Sequence, residues 1–229
     1  YEKSLIIFKR TLGHAHSSVA SCLHAIGELL HMQDKGEQAL DIFEKVLTIW
    51  KTNVGEEHRG VANTYISMAC VFADQDKYHD AIEYNQKALQ IVKVTDGESH
   101  SSLSVIYCSL GQIYFSLGKL DHAMKMQQEA LKVAKATLAS DHRYLIDIYS
   151  SMANICLRQD KFDETYEKFR LSLDLGTSLF GENNSELCGI YDGLGATLEQ
   201  QGKLDQAMQM YQHSLQIYCR IYKENHSNV

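Results

Sequence analysis

The stretch that decides the fold runs from His100 to Asp141 and reads HSSLSVIYCSLGQIYFSLGKLDHAMKMQQEALKVAKATLASD. In its first half Val105, Tyr107, Leu110, Gly111 and Tyr114 recur at helical spacing. Gly118 then reads as a helix stop, because a left-handed backbone costs glycine little. Asp121 suits the N-cap of a second helix, which carries Ala123, Met124, Ala130, Leu131 and Val133 on one face. Ser101 or Ser102 is the expected cap of the first helix, as are Ser17 or Ser18 and Ser185 in their own copies. The stretch therefore predicts two helices joined by a tight turn.

Working outward, the same pattern returns every 42 residues. His16, His58, His100, His142 and His226 stand in one column, with Asn184 in the remaining slot. Small residues form two more columns: Gly27, Ala69, Gly111, Ala153 and Gly195, then Ala39, Ala81, Ala123, Thr165 and Ala207. Large apolar columns run through Leu47, Leu89, Leu131, Leu173 and Leu215, and through Ile49, Ile91, Val133, Leu175 and Ile217. Tyr65, Tyr107, Tyr149 and Tyr191 make an aromatic column. Hairpin packing needs a residue without bulk where two helix axes approach. Gly111 and Ala123 lie near their shared turn, where they are expected to face each other. One hairpin cannot bury both its faces, so neighbours must stack.

The period divides the chain 1–229 into a single array. It comprises a half repeat at 1–15, full repeats at 16–57, 58–99, 100–141, 142–183 and 184–225, and the start of another at 226–229. First helices are predicted over 17–32, 59–74, 101–116, 143–158 and 185–200, and second helices over 37–53, 79–95, 121–137, 163–179 and 205–221. Neither end reads as a polar capping repeat, so the array is expected to continue or to dock at both ends. Proline is absent, which suits long helices with short links.

These columns also carry a family likeness. Tyr107, Leu110, Gly111, Tyr114, Ala123 and Ala130 stand in the order of the tetratricopeptide motif. The longer period, with a Gly-x-x-His link at Gly13 to His16, Gly55 to His58 and Gly97 to His100, resembles the kinesin light chain subclass. The chain departs from that subclass in two ways. Ser17, Arg59, Ser101 and Arg143 follow the link position where proline is usual, and the paired asparagines of the first helix are replaced, as at Cys108-Ser109 and Ser150-Ser151. The resemblance implies an all-α, right-handed superhelical solenoid of antiparallel helix hairpins. It further implies a non-catalytic scaffold that binds protein or peptide along a concave groove lined by first helices. A second reading is a regulatory or sensor array attached to an enzyme or nucleotide-switch domain.

On that reading the groove positions are Asn63, Ile66, Cys108, Gln112, Phe115, Asp147, Ser150, Asn154, Arg158 and Asp192, flanked by Ser21, His24, Glu28, His31, Cys70, Asp74, Val105, Ala196 and Glu199. Glu28, Asp74, Asp147, Asp192 and Glu199 oppose a single arginine, Arg158, so a neutral or basic segment is the expected partner. A net charge of −7 and the lack of a basic stripe exclude nonspecific nucleic-acid binding. No apolar run reaches the roughly 18 residues that insert into a membrane. No phosphate loop, nucleophile elbow or His-Glu-x-x-His helix is present, so no catalytic residue and no cofactor are expected. The link histidines sit one per repeat and are read as structural, so no metal is expected. Cys22, Cys70, Cys108, Cys156, Cys188 and Cys219 lie inside helical patterns without a Cys-x-x-Cys pair, which reads as reduced thiols and a cytoplasmic location. Trp50 is expected to pack near the surface of its repeat.

Overall fold

The computed structural model describes residues 11, 13, 16–95, 97, 100–137 and 143–226, with side chains placed through residue 221. Most of the half repeat at 1–15, the link around His142, and the chain after His226 lie outside the described residues. Ten α-helices follow one another among the described residues: α1 (Ser17–Met32), α2 (Gly36–Val54), α3 (Arg59–Asp74), α4 (Tyr78–Thr95), α5 (Ser101–Ser116), α6 (Leu120–Thr137), α7 (Arg143–Arg158), α8 (Phe162–Phe180), α9 (Cys188–Gln200) and α10 (Leu204–His226). No strand occurs among them. The first helices of the first four copies match the spans expected from the period. In the fifth, Ser185–Leu187 is a turn of 3-10 helix before α9. The second helices begin a residue earlier than expected, and α10 runs on to His226.

Each hairpin turn has one construction. Asp34, Asp76 and Asp160 hold φ of 58°, 57° and 57°, and Gly118 and Gly202 hold 70° and 74°. With the backbone turned left-handed, the lysine that follows reaches back to the helix just ended. The N–H groups of Lys35, Lys77, Lys119, Lys161 and Lys203 donate to the carbonyls of Leu30, Phe72, Tyr114, Cys156 and Leu198 at 2.9–3.0 Å. This bond caps the first helix. The second helix starts at once, with Ala39, Ala81, Ala123, Thr165 and Ala207 N–H donating to the same lysines' carbonyls. The aspartate expected at the N-cap therefore sits inside the first turn instead. Asp121 and Asp163 there accept Gln159 Nε2 at 3.1 Å and Gln201 Nε2 at 2.9 Å from the following repeat. A first-turn carboxylate also suits the positive end of the helix dipole.

Where the link residue is described, it and not a serine caps the helical segment that follows. His16 Nδ1 accepts Ser18 N–H at 3.1 Å, His58 Nδ1 accepts Gly60 N–H at 3.0 Å, and His100 Nδ1 accepts Ser102 N–H at 3.2 Å. Asn184 Oδ1 does the same for Glu186 N–H at 2.8 Å. An imidazole acceptor and an amide oxygen satisfy the same orphan donor, which is why asparagine substitutes for histidine in this column. The link glycines Gly13, Gly55, Gly97 and Gly181 hold φ of 79–89° just before the cap.

Two units pack internally, Tyr1–Ile113 and Tyr114–Val229, with the division inside α5. In each, helix pairs pack antiparallel and then against the next pair. All ten residues of the two small columns are buried. What the glycine makes room for is an aromatic ring. A Cβ on Gly27 would meet Phe43 at 2.6 Å, and one on Gly195 would meet Tyr211 at 2.6 Å. Phe169 reaches onward to the next repeat, where a Cβ on Gly193 would run into its ring. It anchors a cluster with Ile146, Ala153, Leu187, Ile190 and Leu194. Deleting such a ring costs about 3–5 kcal/mol. Trp50 stacks on His58 with ring centroids 5.0 Å apart and covers Gly60. The link is thus tied to the second helix before it.

Candidate protein-binding face

Stacking places the first helices side by side within each unit, and their contacts follow one rule. A side chain meets the residue 43 positions later, one past its own equivalent. In the first unit His31 Nε2 lies 2.7 Å from Asp74 Oδ2, and His24 Nε2 lies 3.2 Å from Ser67 Oγ. In the second, Arg143 pairs with both carboxylate oxygens of Glu186 at 3.0 Å, and the Arg158 guanidinium lies 5.3 Å over the Phe115 ring.

The sequence-derived groove positions divide between the two units. In the first, Asn63 and Gln112 are exposed, and Ile66 and Cys108 are half-buried. Asn63 and Ile66 line one cleft with His24, Glu28, Ser67 and Val105, about 250 Å³ in volume. In the second, Asp147, Asn154 and Arg158 are exposed, while Phe115, Ser150 and Asp192 are half-buried. Ser150 Oγ lies 2.8 Å from Ser172 Oγ, which itself donates to the Ile146 carbonyl, so this serine is tied to the second helix. Loss of solvent around its carboxyl raises Asp147 above the usual carboxylate range; Arg143 opposes that shift and Glu186 adds to it.

Charge on this face has a simple origin. The five first helices contain no lysine, and their only arginines are Arg59, Arg143 and Arg158. Arg143 is paired with Glu186, and Arg158 lies over Phe115. Lysines are carried by the second helices and turns. Sequence reasoning counted acids against bases on this face and missed these pairings, because a contact between residues 43 apart has no local pattern.

Ser67, His24 and Glu28 stand in the order of a proton relay, with His24 Nδ1 3.6 Å from Glu28 Oε1. Ser67 lies in the middle of α3, where backbone N–H groups are spent on helical bonds, so no backbone donors remain to stabilise an oxyanion. Among the described residues no group of three or more His, Cys, Asp or Glu side chains is placed to hold a metal ion. No described helix is long and apolar enough to cross a membrane.

The tetratricopeptide repeat model matches residues 1–52, 25–93, 60–136 and 144–220. This chain belongs to the tetratricopeptide repeat family. No curated protein matches it. Among solved structures it is similar to BtubC (BKLC) from P. vanneervenii, with a TM-score of 0.81 at 15% identity over 96% of this chain and 92% of that one. It is also similar to nearly identical TPR-like repeats of a putative kinesin light chain from Podosopora anserina, with a TM-score of 0.74 at 15% identity over 90% and 98% of the two chains. MamA follows with a TM-score of 0.61 at 18% identity over 86% and 97%. These likenesses concern the fold, which is the all-α solenoid of helix hairpins. Tetratricopeptide repeats are generally protein-interaction scaffolds without catalysis.

Proposed function

We propose that this tetratricopeptide chain is a non-catalytic scaffold that holds a neutral or basic protein segment against its first helices. The reading takes residues 1–229 as one array with the repeat boundaries given above. The observation that carries it is the first-helix face itself: lysine-free, bearing Glu28, Asp74, Asp147, Asp192 and Glu199, with Arg143 paired to Glu186 and Arg158 laid over Phe115. Asn63, Gln112 and Asn154 supply exposed amides for an extended backbone, and Ile66, Cys108 and Phe115 supply apolar contact. Ser150 and Arg158 shape the floor, and Asp147 with Asp192 reads positive charge. The free thiols support placing the protein in the cytoplasm.

A peptide array spanning acidic, neutral and basic sequences, probed with the purified chain, tests this. Basic and neutral segments should be retained, and changing Asp147, Asn154 and Asp192 together to alanine should abolish retention. Selective capture of acidic C-terminal peptides, or retention unaffected by the triple change, overturns it.

A further inference from the structure

The repeats supply their own comparison where each second helix meets the next link. In the first unit a cleft of about 440 Å³ is lined by Lys51, Glu56, Tyr65, Lys87 and Ile91. In the second unit a cleft of about 560 Å³ is lined by Thr177, Glu182, Tyr191, His213 and Ile217. Each of these residues is three periods of 42 beyond its counterpart, so this is one site seen twice.

The first copy is filled by the chain's own cations. Lys51 Nζ lies 5.8 Å from the Tyr65 ring centre and 3.3 Å from Glu56 Oε1, and Lys87 Nζ lies 5.9 Å from the same ring. The hydrogen bond to Tyr65 and then Glu56 raise Lys51 above its ordinary range, against desolvation. The Lys51 column continues as Lys93 and Lys135, and Lys135 Nζ again lies 5.8 Å from its tyrosine, Tyr149. At the next step the lysine is gone. Thr177 stands there, too short to cover Tyr191, while the tyrosine and Glu182 are kept. His213 takes the place of Lys87 and stacks on Tyr191 at 5.5 Å. Asp174 adds a second carboxylate to the lining. Burial raises the Tyr191 hydroxyl and the Glu182 charge adds to it, so that carboxylate's field reaches the ring.

We infer that the Thr177–Glu182–Tyr191 cleft is a docking site for a lysine side chain of a partner protein, seated where the chain's own lysine sits in the earlier repeats. The ammonium lies against the Tyr191 ring and pairs with Glu182, and its alkyl stem runs along Ile217. The lining combines second-helix and link residues with Tyr191 of α9 and shares no residue with the groove positions proposed above, so it stands or falls without them.

The test uses the full chain labelled with 15N, titrated with N-acetyl-lysine amide and, as the uncharged isostere, N-acetyl-norleucine amide. Saturable shifts at the amides of Gly181, Glu182 and Asn183 are expected with the lysine derivative only. Thr177→Lys, which restores the residue type of the other repeats, should abolish them. Glu182→Gln should weaken binding by about fivefold or more, the size of a cation–aromatic contact with its ion pair. Asp147→Asn on the first-helix face should leave the titration unchanged. Equal shifts with norleucine amide, or undiminished shifts in Glu182→Gln or in a folded Thr177→Lys, overturn the proposal.

Discussion

His58 Nδ1 accepts the Gly60 N–H at 3.0 Å while the His58 ring stacks on Trp50, so one side chain caps α3 and ties it to α2. Asn184 reproduces the cap at 2.8 Å without an imidazole. His58→Ala and His58→Asn both lose the stacking, and their difference isolates the cap. His58→Ala should be about 0.5–2 kcal/mol less stable than His58→Asn in urea melts. Equal midpoints would show that the column is kept for the ring and not for its acceptor.

Gly27→Ala is expected to destabilise. In an open helix this change adds about 0.5–1 kcal/mol, because alanine is the better helix former. Here the new Cβ would meet Phe43 Cε1 at 2.6 Å, inside a hairpin whose other small column, at Ala39, is fully buried. Overpacking of this kind costs about 1–3 kcal/mol and outweighs the helix gain. A lower thermal midpoint for Gly27→Ala, rescued by Phe43→Leu, is the expected pair of results. A stabilised single variant would contradict the packing.

None of the six cysteines is in a disulfide, but their accessibility differs. Cys219 is exposed, whereas Cys22, Cys156 and Cys188 are buried. Burial raises Cys70, Cys156 and Cys188, and for Cys70 the carboxylates of Asp74 and Glu28 add to the shift. A thiol reagent at neutral pH should therefore label Cys219 first in the native protein, since the thiolate is the reactive form. All six should react after denaturation without reductant. Early labelling of Cys156 or Cys188, followed by peptide mapping, would show that the core opens there.

The period disclosed the helices because each copy repeats the same stop. Gly118, read as the helix stop, adopts positive φ, and so do Asp34, Asp76, Asp160 and Gly202 at the same place in the period. The caps were misassigned because serine is the commoner cap and histidine is seldom considered as an acceptor; only the distance from His16 to Ser18 N–H decides between them. The partner of Gly27 was likewise hidden. A column of small residues says that something must fit there, but Phe43, Asn85, Gln127, Phe169 and Tyr211 share a column that mixes aromatic and amide side chains, so no apolar rule picks it out. For the first-helix face, the sequence showed which positions escape burial. It did not show that Arg158 lies over Phe115, because that contact depends on how neighbouring repeats are offset.

The last prediction concerns Asp147 and follows from the direction of its shift. Its folded pKa is raised, so the fold favours the neutral acid, and the stability this gives is present below the unfolded carboxylate range and lost as pH rises through the folded pKa. Asp147→Asn removes a charge the fold resists, and should therefore raise the thermal midpoint at pH 7 relative to the parent, with the gap closing under acid conditions. A bound cationic segment demands the opposite protonation state. Affinity for a basic peptide should weaken as pH falls through the raised range of Asp147, and that part of the pH dependence should vanish in Asp147→Asn. Calorimetric titrations of parent and variant across acid to neutral pH measure both effects. Parallel pH profiles would show that Asp147 does not read the partner's charge; a variant destabilised at pH 7 would show that the attraction of the Arg143 charge outweighs the loss of solvent around the carboxyl.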